Sequence, residues 1–282
     1  MDIWQETLAL RFGDIDRSDR LTLASTFNYF QEVAICHAEN LGVGREAMAR
    51  TGQGWILSRI SVVLERRPCW GETITVRSWP RGWDRLFAVR DYDIRDAADK
   101  VVVRGRSNWL ILDVEKRRPL RPQAVMSSLP LNEGRDALPG GAGALKSREG
   151  LVKAAERRAL YSDIDSNGHV NNARYIQWIQ DLTGPEILEP ADRMRLDINY
   201  LSEIKLGELT ELWTGPLEDA EPASDLPVGF DSGLDQPAAS DQPLGFAQPA
   251  AMKRPPAAAV EGRREGGQAV FRAELRAWND AG

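Results

Sequence analysis

Between Tyr161 and Asp181 the chain reads Y-S-D-I-D-S-N-G-H-V-N-N-A-R-Y-I-Q-W-I-Q-D. Five consecutive positions hold a carboxylate, an amide and an imidazole: Asp165, Asn167 and His169. His169 is one of two histidines in 282 residues. Together these side chains can move a proton, orient a water and stabilise developing charge. Two readings stand side by side: a polar turn that enters a core helix, or a reactive loop.

The element that must position the cluster follows it directly. Asn171 or Asn172 can cap a helix start, because an Asn side chain accepts from the free N–H groups of the first turn. Tyr175, Trp178 and Ile179 recur at i, i+3 and i+4, so one face of that helix is apolar. A helix start favours negative charge, including an oxyanion formed in a reaction. The N–H groups around Val170, Asn171 and Asn172 are therefore candidates to bind one.

The same pattern occurs earlier. F-G-D-I-D-R-S-D-R-L-T-L-A-S-T-F-N-Y-F-Q-E, from Phe12 to Glu32, falls on the Tyr161 stretch without a gap at an offset of about 149 residues. Asp14-Ile15-Asp16 lies on Asp163-Ile164-Asp165, Tyr29 on Trp178, and Gln31-Glu32 on Gln180-Asp181. Downstream, Gly71-Glu72 resembles Gly207-Glu208. Val101 to Leu112 resembles Ala269 to Trp278 in a looser register. The chain reads as two copies of one unit: turn, long helix, strands. The copies differ where chemistry would sit, since Asn167 faces Ser18 and His169 faces Arg20. One catalytic half and one binding half is the expectation; two structural turns is the alternative.

Read in order, residues 2–11 are a strand and Leu21 to Leu41 a helix stopped by Gly42 and Gly44. His37 and Cys36 on this helix read as structural, Cys36 as a small buried hydrophobe. Strands are expected at Trp55–Glu65, Thr73–Trp79, Leu86–Arg95 and Val101–Asp113, with turns at Pro68, Gly71, Pro80-Arg81-Gly82 and Asp96–Asp99. Residues 127–147 read as a linker. Val152–Leu160, Met194–Leu201, Glu208–Thr214, Ala257–Arg263 and Gln268–Trp278 read as strands of the second copy, whose helix ends at Gly184-Pro185. An α+β fold follows, with a sheet wrapped round each long helix. Residues 217–253, rich in Pro, Ala, Gly, Ser and Asp, read as a flexible insertion dispensable for chemistry, with Phe230 and Phe246 as weak docking points.

Composition narrows the function classes. No run of about 18 apolar residues predicts a membrane span. The N-terminal stretch has neither a signal nor a transit pattern, so the expected compartment is the cytoplasm. Cys36 and Cys69 make no disulfide framework, and no metal-ligand spacing occurs. No glycine-rich nucleotide loop is present, so no cofactor, no metal and no nucleic acid partner is expected. The net charge of −6 is concentrated in the insertion, whose seven acidic residues leave the remainder near neutral. The first half is Arg-rich (Arg66, Arg67, Arg77, Arg81, Arg85, Arg90, Arg95, Arg104, Arg106, then Lys116-Arg117-Arg118). That suits either an acidic partner or solvated strand edges.

D-x-N-x-H-V-N-N-x-x-Y-I-x-W-I, from Asp165 to Ile179, resembles the signature of the fatty acyl–acyl carrier protein thioesterases. The likeness extends over nearly the whole chain, including the W-G-E-T-I-x-V run from Trp70 to Val76. It implies a double hotdog fold: residues 1–126 as a first hotdog repeat that binds the acyl chain, 127–150 as a linker, and 151–282 as a catalytic repeat. It also implies hydrolysis of the thioester joining a fatty acyl chain to acyl carrier protein. Asp165, Asn167 and His169 match the family's acid, amide and imidazole. A further catalytic Glu in a Y-x-x-E context falls on Glu203 of Tyr200-Leu201-Ser202-Glu203. Some plant members carry a Cys next; here Ile204 stands there, which argues against a Cys nucleophile. The acidic insertion is also outside the family pattern.

On this reading Glu203 serves as base for water, His169 and Asn167 orient it, and Asp165 polarises or acts directly. An apolar tunnel for the acyl chain would lie in the first half, with Phe27, Phe30, Ile56, Leu57 and Trp109 as candidate walls or plain core. The Arg-rich half would meet acidic acyl carrier protein. An acyl-CoA thioesterase, a non-catalytic acyl-binding protein and a dehydratase are the rivals. Chain-length preference and a homodimer are left open.

Overall fold

The computed structural model describes residues 2–141, 143–217 and 257–279. Strand β1 (Trp4–Ala9) leads through a short 3-10 turn at Phe12–Asp14 into helix α1 (Leu23–Asn40). Thr22 caps α1 by accepting the Ser25 N–H at 3.0 Å. Leu23, Phe27, Phe30, Ala34 and His37 alternate at spacings of four and three and are all buried, the stripe a helix needs to cover a sheet. The helix stops where Gly42 takes φ 72°. Then follow α2 (Arg45–Arg50) and strands β2 (Gln53–Leu64), β3 (Thr73–Asp84), β4 (Phe87–Arg95), β5 (Val101–Asp113) and β6 (Arg118–Leu120), and a helical turn α3 (Gln123–Met126).

The second half repeats the order: β7 (Val152–Arg158), a 3-10 turn at Tyr161–Asp163, α4 (Asn172–Thr183), α5 (Pro185–Leu188), β8 (Arg193–Tyr200), β9 (Leu209–Pro216), β10 (Ala257–Arg263) and β11 (Ala269–Trp278). All strands join one antiparallel sheet in the order β1-β3-β4-β5-β2-β8-β11-β10-β9-β7, with β6 attached to β5. The order is a palindrome: each half contributes five matching strands. The seam is β2 against β8, with Ser61 opposite Asp197 and the Ser61 hydroxyl donating to the Asp197 carboxylate.

Helices α1 and α4 pack on each other, and Gln180 Oε1 accepts the Ala24 N–H at 2.7 Å. One continuous core runs through both halves, from Phe27 and Phe30 to Ile176, Ile179 and Phe271. Each such fully buried side chain contributes about 1.5–3 kcal/mol. That a single core spans the seam explains why neither half needs a closed surface of its own.

Two expectations, a turn and the burial of Cys36, are corrected, and the linker and the arginines gain contacts that the sequence did not show. The turn predicted at Pro80-Arg81-Gly82 is a bulge inside β3, where the register slips between Pro80 and Gly82. Pro80 lacks the ladder N–H and Gly82 adopts φ 145°, so the strand kinks and continues. The real turn lies at Arg85, with φ 53°. The linker is strapped down: Trp79 Nε1 donates to Arg135 O at 3.0 Å, Ala137 N–H to Asp91 at 2.8 Å, and Leu145 N–H to Asn199 at 2.8 Å. Cys36 is only half-buried; burial and the nearby Glu32 raise its pKa, which leaves it protonated.

Finally, the arginines of the first half are mostly consumed by carboxylates of neighbouring strands and loops. Arg77 pairs with Asp93, Arg81 with Asp136, Arg104 with Glu65, and Arg106 with Asp91 and Asp136. The 217–253 insertion lies outside the described residues beyond Leu217, as do Phe230 and Phe246. Its flanks are paired: Pro216 faces Ala258, and Leu217 N–H donates to Ala257 O at 3.2 Å.

Candidate active site

Asp165 to His169 form a closed loop whose geometry follows from its residue types. Ile164 and Val170 form an isolated bridge at its neck. Asp165 Oδ1 accepts the Asn167 N–H at 2.8 Å, an Asx turn that only a short carbonyl-bearing side chain can make. Asp165 N–H donates to His169 O at 2.9 Å. Gly168 takes φ 82°, which a side chain would oppose. The loop therefore delivers His169 at the mouth of α4.

Glu203 arrives from the segment after β8. Val170 N–H donates to Ile204 O at 2.8 Å, stitching that segment to the loop. His169 Nε2 then lies 2.9 Å from Glu203 Oε2, with side chains 28 % and 56 % exposed. An imidazole and a carboxylate at this distance, open to solvent, can share a proton and hold a water. Asp165 lines a cleft of about 260 Å3 between the two helices, together with Asn28, Asp163, Asn171, Arg174 and Gln177. The structure thus joins His169 to Glu203 directly, and joins Asp165 to Asn167 through its backbone.

The helix-start donors are fewer than the sequence suggests. Val170 N–H is used by Ile204, and Asn171 N–H donates to Asp163 O at 2.8 Å. Asn171 is the cap, its Oδ1 accepting from Ala173 N–H at 2.9 Å. Asn172, first residue of the helix, remains as a donor that the helix itself cannot use. Of the apolar candidates, Phe27 and Phe30 are packed core, with Phe30 stacked on Tyr92 at 4.6 Å. Leu57 opposes Trp109 across β2 and β5. Both are half-buried, as is Ile56.

The first half holds the same loop with other chemistry. Asp16 Oδ1 accepts the Ser18 N–H at 2.9 Å, Asp16 N–H donates to Arg20 O at 3.0 Å, and Asp19 takes φ 58° where the second half has Gly168. There Arg67, buried, reaches the Asp16 carboxylate and the carbonyls of Leu21 and Leu188. Burial lowers the Arg67 pKa against the pull of Asp16. Where the second half pairs His169 with Glu203, the first half holds a structural clamp.

Sequence reasoning missed two arginines that hold the loop region. Arg45 of α2 donates to Ser166 Oγ at 2.9 Å and Ser166 O at 3.1 Å. Arg264, after β10, donates to Ser202 Oγ at 2.9 Å and to Glu203 O. Neither sits near its partner in sequence, and no motif flags it. Among the described residues, no three His, Cys, Asp or Glu side chains gather to hold a metal ion, and no helix is long and apolar enough to cross a membrane.

Comparison with known proteins gives a consistent picture. The family model for the acyl-ACP thioesterase N-terminal domain matches residues 1–126, and that for the C-terminal domain matches 148–230. A chloroplastic acyl-[acyl-carrier-protein] hydrolase of Cuphea viscosissima is 27 % identical over 218 residues, covering 71 % of this chain and 52 % of that protein. A chloroplastic oleoyl-acyl carrier protein thioesterase of Coriandrum sativum is 23 % identical, covering 80 % and 66 %. The chain thus spans about half to two thirds of the length of these curated relatives. Two solved structures share the fold. One is an acyl-ACP thioesterase of Bacteroides thetaiotaomicron (TM-score 0.73, 22 % identity, 98 % of both chains). The other is a 12:0-ACP thioesterase of Umbellularia californica (TM-score 0.73, 19 % identity, 98 % and 94 %).

Proposed function

The chain belongs to the acyl-ACP thioesterase family, and from that premise we propose that it hydrolyses the thioester between a fatty acyl chain and acyl carrier protein, releasing a free fatty acid in fatty acid biosynthesis. The observation that carries the reading is the His169–Glu203 pair at 2.9 Å, presented at a helix mouth by a loop whose twin in the first half has lost both groups.

In the proposed reaction Glu203 removes a proton from a water oriented by His169 and Asn167. The water oxygen attacks the thioester carbonyl carbon, and the Asn172 N–H is aimed at the oxyanion. Collapse breaks the C–S bond, and the proton held by the His169–Glu203 pair passes to the departing sulfur. Asp165 fixes the loop and polarises the cleft. Residues 1–126 and 151–282 form the two repeats of a double hotdog, joined through 127–150; the palindromic strand order supports this division. The acyl chain runs along Ile56, Leu57 and Trp109, above a floor of Phe27 and Phe30. Arg85, Arg117 and Arg121 are exposed and lie outside the ion pairs of the sheet, so they are the proposed contacts for the acidic carrier.

The test is thiol release from lauroyl and palmitoyl acyl carrier protein and from the matching acyl-CoAs. Release from the carrier-protein thioesters, reduced about 100-fold or more in His169→Ala, is the expected result. Release from the CoA thioesters alone replaces the partner, and no release from either overturns the reading.

A further inference from the structure

We propose that Arg264 is a positioning residue for the reaction, holding the backbone of Glu203 so that its carboxylate meets His169; the proposal rests on the reading of that pair as the reacting one. Glu203 is more than half exposed, so packing does not fix its long side chain. Its aim depends on where its own backbone is held. On one side Ile204, fully buried, is fastened through its carbonyl to Val170. On the other side Arg264 supplies the hold. Its guanidinium donates to Ser202 Oγ at 2.9 Å, to the Glu203 carbonyl, and to Glu208 Oε2 at 3.3 Å. The Arg264 backbone is itself pinned, its N–H donating to Gln268 O at 2.9 Å. Three acceptors of one short segment are thus gathered by a planar donor from the neighbouring turn, a task suited to a guanidinium and poorly suited to an ammonium.

The first half serves as an internal comparison. Leu21 N–H to Pro68 O matches Val170 N–H to Ile204 O, and Glu72 N–H to Cys69 O matches Glu208 N–H to Lys205 O. Arg66 and Arg67 therefore stand where Ser202 and Glu203 stand. There the segment is also tied to the adjacent turn, but with the polarity reversed: Arg66, on the segment, donates to Glu72 at 2.9 Å and to Asp96 at 3.3 Å. Both halves have a clamp. Only the second places the donor on the turn, where it reaches the carbonyl of the residue facing the histidine.

The experiment is steady-state hydrolysis of lauroyl and palmitoyl acyl carrier protein by the full chain and by Arg264→Ala, Arg264→Lys and Arg66→Ala, with thermal unfolding of each. Displacement of a reacting group by about 1 Å costs up to about 100-fold. Arg264→Ala is therefore expected to lose at least about tenfold in kcat with KM within about twofold, and Arg264→Lys to recover part of that loss. Arg66→Ala is expected to lower Tm as Arg264→Ala does while keeping kcat within about twofold. Wild-type kcat in Arg264→Ala, or an equal kcat loss in Arg66→Ala, overturns the proposal. If Arg264→Ala does not fold, Arg264→Lys decides: reduced kcat at unchanged KM supports it, wild-type kcat overturns it. An inactive wild-type chain instead removes the reading of Glu203 itself, and this proposal with it.

Discussion

The two histidines of this chain occupy opposite environments, and each makes its own prediction. His169 faces solvent and a carboxylate. His37 is fully buried on α1, its Nδ1 accepting from Arg90 at 3.2 Å. Burial first, then the Arg90 charge, pushes its pKa down to about 4 from 6.5, against a small opposing pull from Asp2. Because the folded value is depressed, the unfolded chain binds the extra proton between those two pH values. Stability is therefore complete above pH 6.5 and falls as the pH drops toward 4, by about 3 kcal/mol from this group. Urea unfolding midpoints across that window should show the slope, and His37→Gln should flatten it by close to one proton. At the site, Glu203→Gln removes the proposed base while keeping its size. A kcat loss of about 100-fold or more is expected, and unchanged turnover would take Glu203 out of the scheme.

At the scale of elements, the proposed reactive loop and its first-half twin share a backbone and differ in side chains. Gly168 has open space around its missing Cβ but φ 82°. Gly168→Ala should therefore cost about 1 kcal/mol through backbone strain, and should lower kcat by shifting His169. Asp19, at φ 58° in the twin, carries that strain already, so Asp19→Gly should leave turnover untouched and raise Tm slightly. Gly105 is a different case: an added Cβ would sit 2.5 Å from the Phe30 ring, and Gly105→Ala should destabilise by about 1–3 kcal/mol. These loops and helices were legible in the sequence because their signals are local. An Asx side chain, a glycine and a cap two or three residues apart determine the turn by themselves. Arg264 was illegible for the opposite reason: it reaches Glu203 across 61 residues, and nothing local marks an arginine for that use.

For the whole molecule, the palindromic sheet depends on contacts that periodicity cannot report. The strand pattern suggested solvated arginines and a linker; the register instead sets carboxylates beside those arginines, and Asp136 of the linker pairs with Arg81 and Arg106. Asp91 shows the consequence. It is fully buried, accepts two bonds from Arg106 at 2.6 Å, and accepts the Ala137 N–H at 2.8 Å. Asp91→Asn leaves the Arg106 guanidinium short of its buried counter-charge and should cost about 3 kcal/mol, measurable as a lower denaturation midpoint with the linker newly open to protease. The two-copy order itself was readable from the repeat, whereas the seam was not, because the pairing of β2 with β8 appears in neither copy alone. That seam has a consequence for how the chain is made. β2 carries Ile60, Val62, Val63 and Leu64, all buried, yet one of its two edges stays open until β8 has been synthesised, roughly 130 residues later. At about 5–20 residues per second the wait on the ribosome is on the order of ten seconds. Through that interval the nascent first half presents an apolar strand edge in search of a partner, and the edge of another nascent chain fits it as well as the one still to come.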